Sequence, residues 1–229
     1  MAKGRELKGR MRAVQNTRKI TRTMELVATS KLKRAQDRVV AARPYAQALR
    51  EVIADLMSPE LAERFPLLRR PPSVAKGGPA RAAVVLVTAN RGLCGGFNGN
   101  LIKEARRGIE QLTEAGYTID LHCVGRKGAG FFKYLGLTLA SERQDVGENP
   151  TSDQAVSIAA GLIAEYEAGR LASVDLIHAQ FNSAISAPPT TTRILPVEAP
   201  VGQRDGDALE VVLTGVDDAQ SKVRHSGGN

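Results

Sequence analysis

The sequence predicts an α/β chain in two parts: a long N-terminal coiled-coil helix and, behind it, a parallel-sheet domain. Three observations lead there. Apolar residues over the first fifty-odd positions recur at alternating spacings of four and three, a Pro- and Gly-rich stretch follows, and short apolar runs then alternate with amphipathic ones.

The helix comes first. Between Leu7 and Leu56 no glycine follows Gly9, and Pro44 is the only proline. Ala28, Leu32, Ala35, Val39, Ala42, Ala46, Leu49, Ile53 and Leu56 form an unbroken a/d seam of about four heptads. Leu7, Met11 and Val14 keep the same register, but Arg18, Thr21 and Glu25 then take its core positions. Ile20, Met24 and Val27 carry the apolar stripe to a neighbouring face, so the partner changes or the coil rewinds near residues 18–27. At about 1.5 Å per residue such a helix spans roughly 75–80 Å, more than a domain core requires. Four seam positions are alanine, which lets a partner helix come close. Pro44 removes one backbone donor and should bend the rod.

Residues 58–80 (SPELAERFPLLRRPPSVAKGGPA) read as a linker. Strand and helix text then alternates. Ala82–Thr88 is a buried strand, followed by a Gly-rich turn and a helix over about 98–115. Ile119–Val124 is a strand, Lys127–Leu135 a short helix, Thr151–Ala168 a third helix and Ser173–Gln180 a strand. Thr191–Val197 reads as an edge strand. This order predicts a Rossmann-like, largely parallel sheet with helices on its faces. Four segments result: residues 1–57 as basic helix, 58–80 as linker, 81–200 as α/β domain and 201–229 as an atypical tail. The tail is polar and Gly-rich at its end, with one possible strand at Leu209–Leu213.

Charge divides the same way. Residues 1–50 hold 14 Lys and Arg against Glu6, Glu25 and Asp37, a net of +11, while the remainder nets −3. The basic element calls for an acidic partner surface or nucleic acid. An aromatic fraction of 4% with no Trp argues against a base-stacking groove. Two cysteines are too few for a disulfide framework or zinc cluster, which fits a reducing compartment. No secretory signal and no run of about 18 apolar residues is present.

Candidate chemistry centres on RGLCGGFNGN, residues 91–100, a Gly-rich turn between a strand and a helix where open α/β sheets bind phosphate. Its glycines at 92, 95, 96 and 99 miss the dinucleotide spacing, and no Gly-Lys-Ser/Thr follows. Arg91, Gly92, Leu93, Cys94, Gly95 and Gly96 therefore read as a structural turn, and GRKG at 125–128 reads the same way. Cys94 at a helix start could be a nucleophile, but it needs a base, and only His122, His178 and His225 exist. Glu142, Asp145 and Glu148 lack a further ligand at metal spacing and read as a solvated loop. No catalytic residue, metal site or cofactor is expected.

The segments VQNTRKITRTMELVATSKLKRAQDRVVAARPYAQALREVI and RGLCGGFN, with the strand–helix order to about Pro200, resemble the gamma subunits of F-type ATP synthases. The resemblance implies a central-stalk rotor that couples proton flow to ATP chemistry carried out on beta subunits. It implies alpha, beta and epsilon subunits and a c-ring as partners, no nucleic acid, and no direct membrane insertion. It implies a peripheral place on the cytoplasmic side of the bacterial inner membrane. Lys19, Arg22 and Met24 lie where the family's shaft faces a beta-subunit loop. Two departures stand out. The family has Asp where this chain has Asn90, and a long C-terminal helix where residues after about 200 show no such text. The alternatives are a truncated, non-functioning shaft, a nucleotide-binding α/β protein using residues 91–100, and a basic coiled coil on nucleic acid.

Overall fold

A computed structural model describes residues 2–56, 64–68 and 80–197. The chain divides into two compact units at Leu56/Met57.

The first unit is one helix, α1, running Ala2–Leu56 through Pro44 without interruption. At about 1.5 Å per residue it is roughly 80 Å long. Its apolar seam is exposed: Leu32 is 44%, Val39 40% and Leu49 46% accessible. Ion pairs lie along its surface, among them Arg10–Glu6 at 2.7 Å, Arg22–Glu25 at 2.8 Å and Lys33–Asp37 at 2.8 Å.

The second unit is a five-stranded sheet flanked by three helices. Its elements are β1 (Arg81–Val87), α2 (Phe97–Glu114), β2 (Thr118–Val124), α3 (Arg126–Tyr134), β3 (Ser141–Arg143), α4 (Ser152–Glu167), β4 (Ser173–Ala179) and β5 (Pro189–Leu195). The strand order is β3-β2-β1-β4-β5. Pairings among β3, β2, β1 and β4 are parallel, and β5 runs antiparallel to β4. β1 is central and buried along most of its length, which is why RAAVVLV reads as a continuous apolar run instead of alternating.

Alternation along β1 sends Val84 and Leu86 to one face and Ala83 and Val85 to the other. The first face packs with Leu121, Cys123 and Ile177 against Leu101 and Ala105 of α2 and Ala129 and Phe132 of α3. The second packs with Val124, Val174 and Leu195 against Leu162 and Tyr166 of α4. Helix α4 starts at a capping box: Gln154 N donates to Thr151 Oγ1 at 3.3 Å, and Thr151 N donates to Gln154 Oε1 at 3.1 Å. The edge strand β5 is tied to β4 by Arg193, whose Nε and Nη2 donate to the buried carboxylate of Asp175 at 2.8 and 3.1 Å.

Two expectations change. Glu142 is not in a loop: it lies on β3, a strand of three residues, too short to show any alternation. Within the stretch read as linker, residues 65–68 form a turn, and Leu67 packs against the α4-side core while its carbonyl accepts from Val197 N at 2.9 Å. Residues 58–63 and 69–79 of the stretch read as linker, the possible strand at Leu209–Leu213 and His225 lie outside the described residues.

The tightest backbone approach joins the ends of β1 and β2. Gly125 has φ +102°, and a Cβ there would sit 2.1 Å from the carbonyl oxygen of Thr88. Gly125→Ala should therefore cost more than about 3 kcal/mol, by collision and left-handed strain together. Gly116→Ala, at φ +86° with nothing within 4 Å of its added Cβ, should cost about 1 kcal/mol. Urea unfolding of both variants reads the difference, and equal costs would show that the approach at Gly125 is looser than described.

Candidate functional site

Two regions hold the residues singled out from the sequence, one in each unit. On α1, Lys19, Arg22 and Met24 are all exposed. Arg22 is held by Glu25 one turn ahead, whereas Lys19 has no ion-pair partner among the described residues. Ile20 and Val27 are 61% and 50% accessible, so the apolar stripe that leaves the seam here is open as well.

The second region is the cluster of loops at the C-terminal ends of β1, β2 and β3. The turn after β1 is held from within. Asn98 Oδ1 accepts from Ala89 N at 2.9 Å, and Asn98 Nδ2 donates to Cys94 Sγ at 3.0 Å. Leu93 takes φ +62° and Gly95 φ +57°, and the Leu93 side chain is 93% exposed. A non-glycine residue in the left-handed region carries strain that its surroundings must hold.

The loop after β2 is held by residues 88–90. Asn90 Oδ1 accepts from Arg126 N at 2.9 Å, the Ala89 carbonyl from Lys127 N at 3.2 Å, and Thr88 Oγ1 from Gly128 N at 2.9 Å. These amides form the start of α3, where an anion would otherwise bind. All three are already bonded inside the protein, so GRKG is a packed turn and not a phosphate cradle. Asn90 also reaches the loop after β3: its Nδ2 donates to the carbonyls of Gln144 and Val146 at 3.1 and 3.0 Å. One side chain therefore joins three loops. An ionised carboxylate at this position could accept from Arg126 N but could donate to neither carbonyl. The roles of Asn90, Asn98 and Thr88 had no signal in the sequence beyond their place just after a strand or just before a helix.

The remaining candidates fall apart as chemistry. Cys94 is exposed, with Asn98 as its hydrogen-bond partner. Burial is the main influence pushing the Cys123 thiol up, to about 11, so it stays protonated at neutral pH. His122 faces Ser141 Oγ at 2.7 Å, and burial lowers its pKa against the opposing pull of Asp120. His178 Nε2 lies 3.3 Å from Thr192 Oγ1 across the β4–β5 pair. Glu142 is ion-paired with Lys133, and Asp145 with Arg143 at 2.7 Å. No group of three or more His, Cys, Asp or Glu among the described residues could hold a metal ion. A cleft of about 410 Å³ between β2, β3 and α4 is lined by Arg81, Asp120, His122, Arg143, Ser157 and Glu165 among others. Its charges are spent on one another: Arg81 meets Asp120 and Glu165, and Arg143 meets Asp145 and Ser157.

The two regions are thus a long helix with an open apolar seam and a loop cluster whose amides at the start of α3 are bonded internally. A family model described as ATP synthase matches residues 3–223, past Pro200 where the resemblance read from the sequence stops. The ATP synthase gamma chain of Gemmatimonas aurantiaca is 56% identical over 206 residues, covering 90% of this chain and 69% of that one. The ATP synthase gamma chain of Moorella thermoacetica is 42% identical over 210 residues, with 91% and 71% covered. Among solved structures, the central stalk and c-ring of the Tetrahymena thermophila mitochondrial ATP synthase matches at 25% identity and a TM-score of 0.55, covering 77% of this chain and 72% of that chain. The chain belongs to the ATP synthase gamma-chain family.

Two outcomes check the loop cluster. Asn90→Ala deletes three hydrogen bonds and should lower unfolding stability by about 2 kcal/mol, while Asn90→Asp keeps the acceptor and should lose about 1 kcal/mol. Chemical denaturation that ranks Asp below Ala would contradict the bonding described. The paired hydrogen bonds from Arg143 hold the Asp145 carboxyl at about 2, below its ordinary 3.8. Because the folded-state value is depressed, the pair's contribution is present above the ordinary carboxylate value and is lost as pH falls through about 2. In an NMR titration, Arg143→Gln should return the Asp145 midpoint towards 3.8.

Proposed function

We propose that this chain is the central-stalk rotor of an F-type ATP synthase, coupling proton flow through a membrane ring to ATP synthesis or hydrolysis at beta subunits. The observation that carries the reading is α1: a 55-residue basic helix with an exposed heptad seam, in a chain of the gamma family. A shaft works by being long, stiff and asymmetric, and none of those properties needs a catalytic side chain. ATP chemistry falls to the beta subunits, and this chain transmits torque and regulates ATPase activity.

The partners in this reading are alpha and beta subunits around α1, with an epsilon subunit and a c-ring at the sheet domain. Lys19, Arg22 and Met24 are proposed as the contact with a beta-subunit loop. Exposed ion pairs are worth only about 0–1 kcal/mol each, which suits a contact that must be broken and remade at every step. Arg22 must first release Glu25, so its contribution should be smaller than that of Lys19. The turn Arg91–Gly96 is proposed as a structural element that sets where the sheet domain's loops emerge. None of the described helices is long and apolar enough to cross a membrane. The proposed location is peripheral, on the cytoplasmic side of a bacterial inner membrane, reached through the ring.

Reconstitution with alpha and beta subunits tests the reading. The expected result is a stable complex with ATPase activity that depends on this chain. Failure to assemble, or activity indifferent to its presence, would sink the rotor role. Within an assembled complex, Lys19→Glu combined with Arg22→Glu should lower ATPase turnover about fivefold without loss of assembly.

A further inference from the structure

All four threonines of α1, Thr17, Thr21, Thr23 and Thr29, fall within thirteen consecutive residues. Each turns its hydroxyl back onto the helix. Thr17 Oγ1 donates to the Ala13 carbonyl at 3.0 Å, and Thr21 Oγ1 reaches the carbonyls of Thr17 and Arg18, both at 3.0 Å. Thr23 donates to Lys19 at 3.1 Å and Thr29 to Glu25 at 2.9 Å. A hydroxyl placed this way competes for a carbonyl that the helix ladder already uses, which slightly destabilises the helix and favours bending.

Two further features fall on the same stretch. Six of the thirteen residues 17–29 are β-branched, against two in residues 30–42, where Ala35, Ala41 and Ala42 favour helix. The heptad core positions there are Arg18, Thr21 and Glu25, so a partner lying along the seam finds little apolar surface to bury. Local preference and packing support both drop at the same place. Immediately after it, Ala28, Leu32, Ala35 and Val39 restore the seam.

We infer that residues 17–29 are a compliant segment of α1, a place where the helix bends and twists under load, set against a stiffer stretch over residues 30–42. The load itself belongs to the rotor reading, on which the functional meaning of the segment rests. The proposed contacts Lys19, Arg22 and Met24 all lie inside it, so a push on them deforms the helix locally before it turns the remainder.

Amide hydrogen exchange followed by mass spectrometry on the free full-length chain tests this. Amides of residues 18–29 should exchange about threefold or more faster than those of residues 31–42. Replacing Thr17, Thr21, Thr23 and Thr29 together by alanine should slow the first window about tenfold and leave the second unchanged. Equal rates in the two windows, or a first window that the substitutions leave unchanged or speed up, would overturn the inference. Assembly with alpha and beta subunits plays no part in the measurement, so failure of the rotor reading and failure of the compliant segment show up separately.

Discussion

The heptad seam of α1 sets what the long helix requires of its surroundings. Leu32, Val39 and Leu49 keep 40–46% of their surface accessible, so completing their burial would gain about 1 kcal/mol each, roughly 3 kcal/mol along the seam. Exposed ion pairs along the helix, Arg10–Glu6 and Lys33–Asp37 among them, are each worth only about 0–1 kcal/mol. A helix of this length takes most of its stability from packing an apolar face and little from propensity. Its spacing of four and three also prescribes the form of the cover, a helix wound left-handedly around it. The alanines at 28, 35, 42 and 46 set how near that cover can come. Charge adds a second condition: a net +11 over residues 1–50 disfavours pairing with a second copy and favours surroundings of opposite sign.

The sheet domain solves a different problem. Its central strand β1 is buried on both faces, so the polar backbone groups where it ends must be met by the loops themselves. Thr88, Ala89 and Asn90 supply those contacts, and the close approach of Gly125 makes room for them. The same bonds that stabilise the loops occupy the amides with which an open α/β sheet would grip a phosphate at the start of α3. The exposed, left-handed Leu93 is the visible cost of closing the first turn with a non-glycine residue.

Much of this was legible beforehand because it depends on periodicity. The α1 seam, the buried run AAVVLV and the helix read over Thr151–Ala168 are local patterns with local causes, and the resemblance to gamma subunits rested on long continuous segments. What could not be read depended on contacts between distant residues. Ser141–Arg143 shows no alternation in three residues and becomes a strand only because β2 lies beside it. Glu142 read as part of a solvated acidic loop, whereas it lies on β3 and pairs with Lys133 of α3. Asn90 looked like the loss of a carboxylate; in place, its amide makes two bonds that a carboxylate could not. The contact proposed for Lys19, Arg22 and Met24 depends on a partner surface, so no internal contact could mark it out.

The central claim is that the exposed seam of α1 is a surface to be covered by partner chains. Val39→Cys in a Cys94→Ser background places one accessible thiol on the seam, while Cys123, buried and with its pKa raised to about 11, stays silent. Maleimide labelling is then timed for the free chain and for the chain mixed with alpha and beta subunits. Labelling should be fast in the free chain and at least about tenfold slower in the assembly, because thiol reactivity follows access. Equal rates in the two samples, with the complex formed, would contradict it.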